Sequence, residues 1–286
     1  MSIAVGNILG GIAIQTVVLV ILDVFGARGG PPLSYRSASM ALVLEAALVT
    51  AVLIVAIMAT QMPASLIVAR LTPGAVLITA MWVMGVWLVA KAAKGLPWTH
   101  SDDAPEVQKR PKGHSKAARA AGHVGRHVST TRAALVFGIG AVVTLAAGVL
   151  LEQAGSAVAD RVGLSGVLFG ATVLAAATAL PEVSTGLASM KLHDYQLAVS
   201  DIFGGNAFLP VLFLLASLLS GQAVLPQAGK TDIYLAALGV LLTTVYAAGQ
   251  IFRPRRKILG MGIDSLAVLI LYVLGLVGLV AIAQAG

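Results

Sequence analysis

Eight apolar stretches, each close to twenty residues and separated mostly by short polar connections, constrain this chain more than any other feature. They run over residues 4 to 25, 38 to 60, 73 to 90, 133 to 151, 164 to 189, 197 to 220, 232 to 252 and 263 to 284. Crossing a hydrocarbon core of about 30 Å takes roughly 20 apolar residues in a helix, and a helix satisfies its own backbone polar groups where no water can. The expected fold class is therefore an all-α polytopic membrane protein with eight spans. Composition agrees: 58% of residues are hydrophobic and 11% charged, against roughly 25% charged in a soluble domain. There is no cysteine, so disulfides, thiolate metal sites and cysteine nucleophiles are excluded. No nucleotide-binding fingerprint, Ser-His-Asp set or HExxH occurs, which argues against an ATP-driven pump or a membrane hydrolase and implies neither an enzyme nor a bound cofactor.

The formal charge is +7, and its placement orients the chain. Sixteen of the nineteen Lys and Arg residues fall on one side of the expected spans, nine of them between Lys91 and Arg132, while Arg70, Arg161 and Lys230 fall on the other. The positive-inside rule makes the basic side cytoplasmic. That puts the loop 95–132 in the cytoplasm and both chain ends outside, in the cell (inner) membrane, with anionic lipid a natural partner of the loop and nucleic acid not implied. The long loop divides the chain into residues 1–94 with three spans, a basic linker 95–132, and residues 133–286 with five.

A shift of 194 residues lays Ala4–Ala13 on Ala198–Ala207 with six of ten positions identical, including the pairs Gly10-Gly11 and Gly204-Gly205. These copies head spans one and six, which cross in opposite directions. An inverted repeat of this kind is the architecture of secondary transporters, with the site near the midplane. The second copy's unit begins one span earlier, at Gly170 to Glu182, and subtracting 194 places the mate of Glu182 at position −12. The repeat thus predicts a five-plus-five arrangement of ten spans, two more than are found.

A carboxylate at membrane depth marks an ion or proton path by default, and Glu182 is the strongest case. Pro181 before it lacks an N–H and bends a helix; freed carbonyls, the Thr178 hydroxyl and the Glu182 carboxylate form the oxygen-only set that hard cations prefer. The plainer reading is a Pro kink whose Glu reaches a neighbouring polar helix. Span six supplies a facing wall with Asp201, Gly204, Gly205 and Asn206; Asp201 reads equally as a ligand or as an N-cap. Span one offers Asn7 and, two turns deeper, Gln15, for which a helix–helix hydrogen bond is the alternative. Pro181 with Gly204, Gly205 and Gly11 is expected to provide the helix-breaking and close-approach support. Glu45 and Asp264 could join a proton path, but both sit near span ends, where snorkelling or capping would explain them. His100, His114, His123 and His127, with Asp102, Asp103 and Glu106, read as a solvated linker rather than a metal site, and Trp82, Trp87 and Trp98 as packing or interfacial residues.

These motifs resemble a known family. Leu180-Pro181-Glu182 after a Gly-Ala-Thr helix, followed by Asp201-Ile202-Phe203-Gly204-Gly205-Asn206, is similar to the alpha-repeat of the calcium/cation antiporter superfamily, which includes the sodium/calcium exchangers. The family pattern is Gly-Thr-Ser-Leu-Pro-Glu followed by Gly-Asn-x-x-Gly-Ser-Asn. The second repeat is covered fully, the first from its second half only. The resemblance implies an inverted-repeat exchanger fold and antiport of Ca²⁺ or another cation against Na⁺ or H⁺, and it points to Thr178 and Glu182 as cation ligands. Ala179, Gly205 and Gly11 stand where the family has Ser, and Leu209 where it often has Asn or Asp, with Gln15 its first-repeat counterpart. A Ca²⁺ site built from Glu182 and a symmetry mate is not available in this chain, so a monovalent or proton-coupled cation fits as well. The competing expectation is a non-transporting relative that keeps the fold.

Overall fold

A computed structural model describes residues 2–27, 29–92, 129–162 and 166–285. The loop histidines and acids named above, and Trp98, lie outside these residues. The described residues are mostly helical, with one short hairpin and an isolated bridge between Val68 and Leu71. Helices α1 (Ser2–Gly26), α2 (Leu33–Ser37), α3 (Met40–Thr60) and α4 (Pro73–Ala92) precede the linker. After it come α5 (Thr130–Val162), α6 (Gly166–Phe169), a π-helical turn (Gly170–Leu174), α7 (Ala175–Thr178), α8 (Leu180–Lys191) and α9 (Tyr195–Phe208). A 3₁₀ turn (Leu209–Val211) leads into α10 (Leu212–Ser220), and α11 (Lys230–Phe252) and α12 (Ile263–Ala285) complete the fold.

Six segments are long and apolar enough to cross a membrane: Val5–Gly26, Met40–Thr60, Pro73–Ala92, Tyr195–Ser220, Lys230–Phe252 and Ile263–Gln284. A seventh arises if Gly170–Thr178 and Leu180–Lys191, bent by 42° at Ala179, count as one. The expected span 133 to 151 falls within the 33-residue α5 and is not among these seven, so the count of eight remains an expectation.

Capping explains the boundaries. Ser39 accepts from Leu42 N at 3.2 Å, and Asp194 from Leu197 N at 3.0 Å, so each supplies a side-chain oxygen to an orphan donor of the first turn. Gly229 N donates to Asp232 at 2.8 Å, and Gly221, at φ +69°, ends α10 in the left-handed conformation that glycine adopts without strain. The hairpin Lys257–Ile258/Met261–Gly262 turns through Leu259 and Gly260, both at positive φ, as a two-residue hairpin turn requires.

Helix α1 lies at the centre, packed on α8, α9, α11 and α12, while α3 bridges α4, α9 and α11. Its span is 61% buried, against 22% for α4 and α12; the outer helices present Val83, Trp87, Val273 and Val277 outward, as lipid-facing surfaces do. Backbones come close at Gly10, where a methyl group would lie 2.8 Å from the Ala171 backbone. The glycines expected to break helices do not: α1 runs unbroken through Gly11, and α9 through Gly204 and Gly205. Only Pro181 sits at a break, in the first turn of α8, where its missing N–H costs little.

Candidate functional site

The bent α7–α8 segment and the centre of α1 meet near the middle of both spans. There Gln15 Nε2 donates to Glu182 Oε1 at 3.1 Å. Each of these side chains keeps one buried oxygen without a partner, Gln15 Oε1 and Glu182 Oε2. Gln15 Oε1 also faces Gly205, lying 3.8 Å from where a Cβ would be. The helix–helix hydrogen bond considered for Gln15 is therefore real, and its acceptor is the carboxylate singled out as the ion ligand. Two oxygens, one anionic and one neutral, are left for a cation.

Asn7, Gly11 and Gln15 recur every four residues and so share a face of α1. Asn7 Oδ1 is buried and unpartnered. Gly11 is buried, yet a Cβ there would meet nothing within 4 Å. The face therefore borders open space between two unpartnered amide oxygens. Asn206 closes the other side with Nδ2 at 3.5 Å from both Ile12 O and Thr16 Oγ1, at the limit of hydrogen-bond geometry, and its Oδ1 is unpartnered too. Ile12 and Asn206 are separated by the same 194 residues as the repeat, so the pseudo-symmetry axis passes close to this contact.

Other expected site residues are placed differently. Thr178 is exposed and turns its hydroxyl back on Ala175 O at 3.1 Å rather than onto Glu182. Asp201 is not an N-cap, since Asp194, seven residues earlier, fills that role. It is exposed, with Oδ2 accepting from Thr185 Oγ1 at 2.9 Å, and Thr185 also contacts Glu182 O at 3.3 Å. Glu45 does not snorkel: it turns inward to accept from Ser200 Oγ at 2.9 Å, and Oε2 is buried and unpartnered. Asp264 is 7% exposed in the first turn of α12, where the backbone N–H groups of Asp264 and Ser265 act on its carboxylate, so it lies at the helix start as a capping residue does but is buried rather than snorkelling to water. Thr16 and Ser200 were not legible as partners because serine and threonine in apolar helices usually bond their own backbone. Among the described residues no three His, Cys, Asp or Glu side chains group to hold a metal.

The repeat lends Gly10 and Gly204 equivalent positions, but they meet different surroundings. Gly10 packs on Ala171, whereas a Cβ on the exposed Gly204 would meet nothing within 4 Å. Comparison with known proteins accords with the motif reading. A relative described as "Putative antiporter CaxA" of Alkalimonas amylolytica is 30% identical over 121 residues, 41% of this chain and 38% of that protein. The match thus spans less than two thirds of that relative's length. No solved structure matches. The sodium/calcium exchanger protein family matches residues 132–281, a stretch that contains the Pro181-Glu182 bend and the Gly-Gly-Asn helix facing Gln15. With just over half of its length matched, the chain belongs to that family.

Proposed function

We propose that this protein is a secondary active cation antiporter exchanging Ca²⁺ or another cation for Na⁺ or H⁺ by alternating access around Glu182 and Gln15. The observation that carries this reading is the bent membrane helix whose carboxylate is held by a neutral amide, with one oxygen of each group buried and unpartnered. A neutral partner orients the carboxylate without cancelling its charge, so the site can bind a cation and release it. Two cation types, or a cation and protons, would compete for the same oxygens. Asn7, Thr178 and Asp201 are the further ligands in this reading: Asn7 on the open face of α1, Thr178 across the bend, and Asp201 through Thr185. The bend at Ala179 separates two half-helices that could tilt independently.

In the same reading residues 1–94 and 133–286 are the two exchanger repeats. The linker 95–132 is cytoplasmic and contacts anionic lipid, and both ends of the chain are extracytoplasmic in the cell membrane. The test is reconstitution. Proteoliposomes loaded with Na⁺, or held at an acidic interior pH, are expected to accumulate Ca²⁺ or a second cation only while the gradient lasts. A chain that retains cation-dependent thermal stabilisation but moves no ion under any gradient would establish the non-transporting alternative instead.

A further inference from the structure

The end of α1 that carries Asp23 joins four elements. Asp23 is fully buried; its Oδ1 accepts from Leu33 N at 2.7 Å, and its Oδ2 from Gly262 N at 2.6 Å and Ser265 Oγ at 2.8 Å. Three donors fix the position of this carboxylate. Beside it, in the first turn of α12, lies Asp264. Gly249 of α11 and Gly262 of the hairpin cradle the Asp264 carboxylate: a Cβ on either would collide with it. At Gly262 that Cβ would sit 2.5 Å from Asp264 Oδ1 and 3.3 Å from Asp23 Oδ2, so the two acids share one pocket.

Nothing among the described residues neutralises the pair. Both Asp264 oxygens are buried and unpartnered, as are Ser34 Oγ and Tyr246 Oη, and both Ser34 and Tyr246 are 0% exposed. The Ser34 hydroxyl and the backbone N–H groups of Asp264 and Ser265 approach the Asp264 carboxylate and act on it without reaching full hydrogen-bond geometry, and the charges of both acids act on the Tyr246 hydroxyl. Four of the basic side chains at this end are engaged elsewhere: Lys257 with Ala27 O at 2.7 Å, Arg253 with Ala38 O at 3.1 Å, Arg36 with the Tyr195 hydroxyl at 2.6 Å, and Arg255 over the Tyr35 ring. An uncompensated buried carboxylate is strongly unfavourable. Carboxylate and hydroxyl oxygens converging from four elements are the donors a hard cation takes.

We propose that Asp264, Asp23, Ser34 and Tyr246 bind one metal cation of the Na⁺ or Ca²⁺ class, at a second site distinct from Gln15–Glu182. Asp23 lies eight residues beyond Gln15 on α1, about 12 Å along a helix rising 1.5 Å per residue. A cation there ties α1, α2, α11 and α12 together at the end of the bundle opposite Arg70, and the site does not depend on the chain being a transporter.

The experiment uses the full chain in detergent with Glu182→Gln, which disables the central site. Thermal unfolding is followed as NaCl or CaCl₂ replaces N-methylglucamine chloride at constant ionic strength. The inference expects a saturable rise in Tm, abolished by Asp264→Asn, which keeps the shape of the side chain, and moved to at least several-fold higher cation concentration by Tyr246→Phe. A Tm indifferent to either cation in the Glu182→Gln protein would overturn it. So would a Tyr246→Phe titration that superimposes on its parent, a comparison that remains decisive should Asp264→Asn fail to fold.

Discussion

At the residue scale the account rests on oxygens left without partners. A hydrogen bond to a charged group contributes about 1.5–3 kcal/mol, so removing the Gln15 amide should free the Glu182 carboxylate to wander. Gln15→Ala is expected to weaken apparent cation affinity by about tenfold or more on that scale while the helices stay assembled, as read from cation-titrated uptake and from Tm. Gly11→Ser makes the opposite prediction. The position borders open space and is one where related exchangers carry Ser, so the new hydroxyl should enter without clash and tighten cation dependence; a loss of Tm on this substitution would count against the open face. The importance of Glu182 and Gln15 was legible because polar groups in apolar spans are expensive and few. Their pairing was not, since no periodicity relates two helices 167 residues apart. The choice between ligand and cap for Asp201 stayed open because its distance from the helix start could not be judged until Asp194 was seen to hold the Leu197 amide.

At the element scale, close packing of α1 against the π-helical turn fixes the geometry of the site. Gly10 admits the Ala171 backbone, which cannot yield, so Gly10→Val should cost about 1–3 kcal/mol in stability by overpacking, whereas Gly11→Ala should leave Tm nearly unchanged. The adjacent Gly-Gly pair looks equivalent in sequence, and only the direction of each Cα separates packing glycine from open one. The bend was legible from Pro181. The π-helical turn was not, because Gly170–Leu174 has no residue that forbids an ordinary α-helix. Asp264 and Glu45 were misjudged for a shared reason: position near a span end says how far a side chain must reach to water, not whether a neighbouring helix stands in the way.

At the scale of the whole molecule, a bundle with α1 at its centre accounts for the burial pattern, and the distribution of Lys and Arg gives an expected orientation, the basic side cytoplasmic. The absence of native cysteine makes that orientation easy to check. A single cysteine introduced at Leu259, 81% exposed at the hairpin tip, should be modified by a membrane-impermeant thiol reagent only from the cytoplasmic side, and one introduced at Arg70 only from the opposite side. The reverse pattern would invert the topology and with it the direction of exchange. The inverted repeat was readable from a ten-residue match, and the Ile12–Asn206 contact at the same 194-residue separation accords with it.

The central claim is that Glu182 is the exchanged cation's ligand, and ion flux tests it most directly. Matched proteoliposomes bearing the parent chain and Glu182→Gln should be compared for gradient-driven Ca²⁺ or Na⁺ uptake, with equal incorporation verified by protein content and Tm. The account predicts uptake in the parent that falls to the level of empty vesicles in Glu182→Gln; uptake that survives this substitution undiminished would contradict it.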